Sequence, residues 1–294
     1  MKLGRVPSPL DPRTLRLSNY LDVASLPPAP PTVSWCEKVA NWGVMLNDRI
    51  GCCTIAAAGH LIQQWTAWES GSPATVTDRD ILNAYAAVSG YNGRPWTDRG
   101  ANMLEVLKYW RATGIGGHKG VGYVSVDPRN LDQVKAALWI FGGLYGGCTI
   151  YRSWMSGPWD TTAGGAAGGH AWELCGWRDD GFRVVSWGKT YVFTWRGWQS
   201  SMASQPDAEL YAVLSSDWTA ADGVSSSGFR INDLENDLAI LGGQPLPHPP
   251  SPIPTPPAPE PTPTPTPNPP VGPVFADVAG SRWTYQPGRW VAAS

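Results

Sequence analysis

The sequence changes its hydrophobic period once, between residues 140 and 144, and that switch limits the folds open to it. Before it, apolar residues recur at helical spacing. One such segment runs from Cys53 to about Trp68, rich in Ala, Ile, Leu and Gln. Another follows Thr77-Asp78-Arg79-Asp80, which has the form of a capping box. Two more carry Met103, Val106, Leu107 and Trp110, and Leu131, Val134, Leu138 and Trp139. After the switch the pattern reads as strands: 144–150, 170–177, 182–188, 191–195 and 208–214, with an Asp180-Gly181 turn between the second and third. Helices first and an antiparallel sheet afterwards predict an α+β fold with two lobes.

The 294 residues allow one domain of about 200 residues plus extensions. Seven prolines in 1–32 make that stretch an extended arm, able to lie across the domain or to dock elsewhere. Residues 33–216 form the globular domain. An extension, 217–244, carries a short amphipathic helix at 231–241, and 245–274 is a Pro/Thr-rich linker of polyproline II type. The last segment, 275–294, holds Phe275, Trp283, Tyr285 and Trp290; it is too short to fold alone and reads as an aromatic docking peptide for a protein partner.

A formal charge of -2 and the lack of a basic run give no footprint for nucleic acid or an anionic membrane. Neither a secretory signal nor a span-length apolar stretch is present, which points to the cytoplasm or to an assembled particle. Five cysteines, two of them adjacent, do not suit a disulfide framework. With no Cys-x-x-Cys and four histidines, no metal or other cofactor is expected. The 17 tryptophans read first as core fillers and second as the wall of a cleft.

The chemistry centres on Asn47-Asp48-Arg49-Ile50-Gly51-Cys52-Cys53, a polar loop running into a helix. A cysteine at a helix start meets free N–H groups and the positive end of the helix dipole, both of which favour the thiolate. Such a nucleophile needs a base. His60 lies seven residues along the same helix, ~10 Å away at 1.5 Å per residue. His118 sits in a glycine-rich loop without orienting neighbours. His170 follows the glycine-rich run 164–169 at the start of a strand, and is the best candidate.

Taken in order, Val33-Ser34-Trp35, Gly51-Cys52-Cys53, Asp98-Arg99-Gly100-Ala101-Asn102, Tyr145-Gly146, Gly169-His170-Ala171, Gly176-Trp177 and Ser186-Trp187-Gly188 resemble the motifs of papain-like (C1-type) cysteine peptidases across about residues 33–214. The resemblance implies the papain-like two-lobed fold and hydrolysis of peptide or amide bonds in a peptide or protein substrate. It makes Cys53 the nucleophile and His170 its base. Asn47, where the family has Gln, would share the oxyanion with the Cys53 N–H, and Trp187 would shield His170. The family's orienting asparagine falls on Val185, so Ser186 or a backbone carbonyl would have to take its part. Cys52 is read as packing. The alternative is a weakly active or inactive scaffold of this fold, tethered by its linker as a binding module of a bacterial or phage particle.

Overall fold

The computed structural model describes residues 1–19 and 30–218, with three short strands between 275 and 292. Two strands, β1 (Arg5–Val6) and β2 (Val33–Ser34), precede helix α1 (Cys53–Glu69), whose Ala-rich sequence is buried on nearly every face, as in a helix that runs through a core. Helix α2 (Asp78–Ser89) has the expected box: Thr77 accepts from the Asp80 N–H, and Asp80 accepts from the Thr77 N–H at 3.1 Å. Strand β3 (Ala101–Asn102) leads into α3 (Met103–Ala112), capped by Asn102. Strand β4 (Gly120–Ser125) comes before α4 (Leu131–Phe141), which the Asn130 side chain caps.

The second lobe is built on one sheet. It contains β5 (Leu144–Tyr151), β6 (Ala166–Arg178), β7 (Gly181–Ser186) and β8 (Lys189–Thr194). After the short helix α5 (Trp195–Ser200), β9 (Glu209–Ser215) completes it. The order is β4-β9-β5-β6-β7-β8, antiparallel throughout, with β2 added on β6. Helices grouped on one side and an antiparallel sheet on the other make this an α+β, two-lobed fold. The N-terminal end of α1 meets the sheet where Tyr145 OH donates to the Thr54 carbonyl at 2.9 Å. Trp65, Trp110, Trp139, Trp154, Trp159, Trp172, Trp177 and Trp198 are all within 2 % of full burial, so the tryptophans serve the core first. Truncating one such ring to Ala costs about 3–5 kcal/mol.

Several expectations need correcting. Strand β4 has no clear alternation in Gly-Val-Gly-Tyr to mark it; pairing with β9 defines it. Trp195 opens α5 rather than ending a strand, because Thr194 caps a helix there by accepting from the Gly197 N–H. The loop between β6 and β7 is Asp179-Asp180. Gly181 belongs to the ladder opposite Arg178, where a side chain would collide with the Phe193 carbonyl of β8. The aromatic tail pairs as a three-stranded antiparallel sheet, β10 (Phe275–Ala276), β11 (Arg282–Gln286) and β12 (Arg289–Ala292), with Tyr285 opposite Trp290. Three strands are the minimum that can hold one another in register. The helix expected at 231–241 and the 245–274 linker lie outside the described residues. Among the described residues, no helix is long and apolar enough to cross a membrane.

Candidate active site

Cys53 is the first residue of α1 and Cys52 its cap position, with no side chain capping the helix. The loop before it is held by Asp98, which accepts from the Gly51 N–H at 2.9 Å and from Tyr85 OH at 2.6 Å. Tyr85 OH in turn accepts from the Gly100 N–H, so one part-buried knot ties the loop before Cys53 to the residue that leads into β3. Met45 and Leu46, just before Asn47, take positive φ (52° and 61°), a conformation that side chains resist. Cys52 points away and donates to the Met45 carbonyl at 3.3 Å, in agreement with a packing role.

His170 lies on β6 opposite Cys148 of β5 and is fully buried. Its Nε2 meets Ser186 Oγ at 2.6 Å, while Nδ1 is buried without a hydrogen-bond partner. Residue 185 cannot serve here. Side chains alternate across β7, so Val185 faces Val39, Trp42 and Cys175 on the other side of the sheet and Ser186 faces the histidine. Trp187 stacks on His170 with ring centres 4.1 Å apart. It occupies, with Gly188, a two-residue hairpin turn that needs positive φ at both positions (48° and 73°). Tryptophan is a poor residue for that conformation. The strain is offset by the stack and by a hydrogen bond from Trp187 Nε1 to the Lys2 carbonyl at 3.1 Å.

The Lys2 contact belongs to a continuous feature: residues 2–8 lie along the cleft between the lobes. Lys2 N–H donates to the Asn47 carbonyl (2.8 Å), Gly4 N–H to the Gly169 carbonyl (3.3 Å), and Ala101 N–H to the Gly4 carbonyl (2.8 Å). Strand β1 thus pairs in parallel with β3. Arg5 then turns its side chain into the sheet, where it meets Asp207 at 3.0 Å and Glu209 at 2.5 Å.

Burial dominates the charge state of the site. Burial pushes the Cys53 thiol up to about 11, against the amides of Ala171, Gly4 and Thr54 and the Arg5 guanidinium, which favour the thiolate. The thiolate expected at this helix start is therefore not the form the closed cleft holds at neutral pH. Burial, aided by repulsion from His60, holds His170 down to about 3. Both partners are neutral. The Cys53 sulfur nevertheless sits against the amide of Ala171, the residue after His170. In the tautomer with its proton on Nε2, the imidazole donates to Ser186 and keeps an Nδ1 lone pair for a thiol proton.

Asn47 is buried, and its amide donates to the Ile50 carbonyl at 3.3 Å. It therefore lies on the loop before Cys53 with its amide donor turned to that loop's own backbone. The other histidines stand apart. His60 is buried with Nε2 on the Gly43 carbonyl at 3.1 Å. His118 does have an orienting neighbour, contrary to expectation: Asp217, 99 residues away in sequence, meets its Nδ1 at 2.8 Å. All five cysteines are free, and no cluster of metal-ligating side chains occurs among the described residues. Nothing local in the sequence assigns Asp98, Arg5, Asp207 or Glu209 the contacts they make. A lone charged residue in a proline-rich arm carries no local signal for a partner about 200 residues away.

No protein-family model matches the sequence, and no curated protein sequence does. Solved structures do. Xylellain, a cysteine protease from Xylella fastidiosa, superposes with a TM-score of 0.56 at 19% identity, covering 72% of this chain and 95% of its own. ProCathepsin B S9 from Trypanosoma congolense gives 0.51 at 10% identity over 73% of this chain and 86% of its own. Procathepsin L 3 of the Tenebrio molitor larval midgut gives 0.50 at 14% over 69% and 74%. At these identities the likeness is one of fold, and the order of helices and antiparallel strands described above agrees with it: the chain has the papain-like cysteine-protease fold.

Proposed function

We propose that the protein is a cysteine-nucleophile hydrolase of peptide or amide bonds, with Cys53 and His170 as its dyad and residues 2–8 as a latch that holds it latent. The observation that carries this reading is the arrangement around His170. Nε2 is taken by Ser186, Nδ1 is buried without a hydrogen-bond partner, and Trp187 covers the ring. A buried nitrogen without a partner is costly, and such groups are rare outside sites with a task. The solved structures of like fold are cysteine proteases, which supports the same chemistry here.

In the open form His170 Nδ1 takes the Cys53 proton and the sulfur attacks the substrate carbonyl carbon. The oxyanion is met by the Cys53 N–H and, once it leaves Ile50, the Asn47 amide, with each well-placed donor worth roughly 3 kcal/mol. His170 passes its proton to the leaving amine as the C–N bond breaks. Water, deprotonated by the same nitrogen, then cleaves the thioester and restores the thiol. Ser186 keeps the ring turned for both transfers, and Trp187 keeps water off its hydrogen bond.

Treatment of the full chain with E-64, followed by peptide mass mapping, tests this. The expected result is a single adduct on Cys53 that His170→Ala abolishes. Labelling of Cys148 at the same rate, or labelling of Cys53 indifferent to His170→Ala, would overturn the reading.

A further inference from the structure

On the face of the sheet turned away from His170, two cysteines meet where β2 joins β6. Ser34 of β2 pairs with Gly176, and the Trp35 N–H donates to the Cys175 carbonyl at 2.9 Å. Cys175 itself sits at an irregularity of the β6–β7 ladder, between the paired residues Leu174 and Gly176. The chain leaves β2 in a single 3-10 turn, Cys36–Lys38, which packs Cys36 against the small cluster of Val39, Trp42, Ala67, Cys175 and Val185. There the Cys175 thiol donates a hydrogen bond to the Cys36 sulfur, and Ser34 Oγ lies 3.9 Å from the same sulfur.

The two thiols are unlike. Of the five cysteines, Cys36 alone is not buried. The hydrogen bond from Cys175 holds the Cys36 thiol below its ordinary value, while burial pushes the Cys175 thiol well above its own. A part-exposed thiol that ionises readily, with a second thiol at hand, can take up an oxidant and then be resolved by its neighbour. Glu173 lies two residues before Cys175 and opposite Val185 in the ladder. It is fully buried, and neither of its carboxyl oxygens has a hydrogen-bond partner. Burial, aided by the Cys36 sulfur, raises its carboxyl well above the usual range, so it holds a proton at neutral pH. A neutral carboxyl within electrostatic reach of both sulfurs can carry a proton for them.

We propose that Cys36 and Cys175 form an oxidative modification site for a peroxide, closing a disulfide that staples the β2 segment to the strand carrying His170. The site does not depend on the chemistry of Cys53. In the first step the Cys36 sulfur attacks one peroxide oxygen and the O–O bond breaks. The leaving hydroxide takes up the Cys36 proton as water, and a sulfenic acid remains. The Cys175 sulfur then attacks the Cys36 sulfur. The S–S bond forms, the S–O bond breaks, and the Cys175 proton leaves with the oxygen as a second water, relayed by Glu173. Two thiols are oxidised to a disulfide and one peroxide is reduced to two waters.

The test exposes the full-length chain to hydrogen peroxide and maps its peptides without reduction. The expected product is one cross-linked pair, Cys36 with Cys175, formed at least about tenfold faster than Cys148 is oxidised and reversed by dithiothreitol. The oxidised chain should also unfold at a higher urea concentration than the reduced one, since the bond closes a loop that contains all of α1 to α4. In Cys175→Ala the sulfenic acid has no resolving thiol, and dimedone should label Cys36. Cys36→Ser should leave Cys175 reduced under the same treatment. Glu173→Gln should slow the second step and raise dimedone capture at Cys36 several-fold over wild type. Should Cys175→Ala fail to fold, the wild-type map decides by itself. Absence of the Cys36–Cys175 pair, or a bond between Cys52 and Cys53 in its place, overturns the site. An unchanged urea midpoint overturns the staple, and equal dimedone capture in Glu173→Gln and wild type overturns the relay.

Discussion

Replacing Arg5 by Ala should turn Cys53 from an inert thiol into a reactive one. Arg5 is the one deeply buried charge of the latch, and the rest of its hold consists of a few main-chain hydrogen bonds and the Trp187 contact. Removing one member of a buried ion pair costs about 3–5 kcal/mol. Because the pocket opens to water as the latch leaves, a loss of about 2–3 kcal/mol in docking is the better figure here, equivalent to roughly 30–150-fold in the closed-to-open equilibrium. With the thiol at about 11 in the closed cleft, the thiolate fraction at pH 7 is about 10⁻⁴, against about 3% for an ordinary cysteine, so opening can raise reactivity by up to roughly 300-fold. Iodoacetamide alkylation at pH 7, followed site by site by mass spectrometry, should therefore accelerate at Cys53 by at least about 30-fold in Arg5→Ala. Cys148, a buried thiol pushed up to about 12, serves as the internal reference. Gly4→Ala reaches the same end without touching a charge, since its methyl group would lie 1.9 Å from the Gly51 carbonyl oxygen. A Cys53 rate within threefold of wild type in both variants, with the fold intact by near-ultraviolet circular dichroism, would refute the latch.

Three further outcomes follow from the same geometry. Ser186→Ala removes the group that turns His170 and should lower kcat on the order of 100-fold with little change in KM; adding Val185→Asn should not restore it, because residue 185 faces Val39 and Trp42 across the sheet. Rescue in steady-state assays would show that the two faces of β7 have been assigned wrongly. Asp98→Ala cuts the knot on the Gly51 N–H and Tyr85 OH and should cost about 2 kcal/mol in urea unfolding; an unchanged midpoint contradicts that role. Burial holds His60 down to about 4, so between that value and about 6.5 the unfolded chain binds the extra proton and stability falls as pH falls. Glu173, its carboxyl raised well above the usual range by burial, acts in the opposite sense. The informative quantity is therefore the difference between wild type and His60→Gln, which should move by about 2 kcal/mol in favour of the variant from pH 7 to pH 5. A constant difference would rule the histidine out.

What the sequence makes legible is local. Helices α1 to α4 follow from apolar spacing and, for α2, from the capping box at Thr77, while the caps at Asn102 and Asn130 emerge from the structure. Cys53, His170, Ser186 and Trp187 can be picked out because each sits in a short run whose order along the chain carries information. The choice between Val185 and Ser186 is different in kind. It depends on which face of β7 looks at His170, and that is fixed by the register of Val185 opposite Glu173. The latch is less legible still: Arg5 finds Asp207 and Glu209 more than 200 residues away. The protonation state is not legible at all, since a helix start favours the thiolate until burial takes the water away.

The central claim is that Cys53 and His170 act as one catalytic unit, and hydrolysis of a peptide by the full-length Gly4→Ala chain tests it most directly. Product analysis by mass spectrometry should find new amino and carboxyl termini, with cleavage abolished by Cys53→Ala and by His170→Ala, and no further loss in the double variant, as expected of residues that act as a unit. Cleavage that persists without Cys53, or losses that multiply in the double variant, would contradict it.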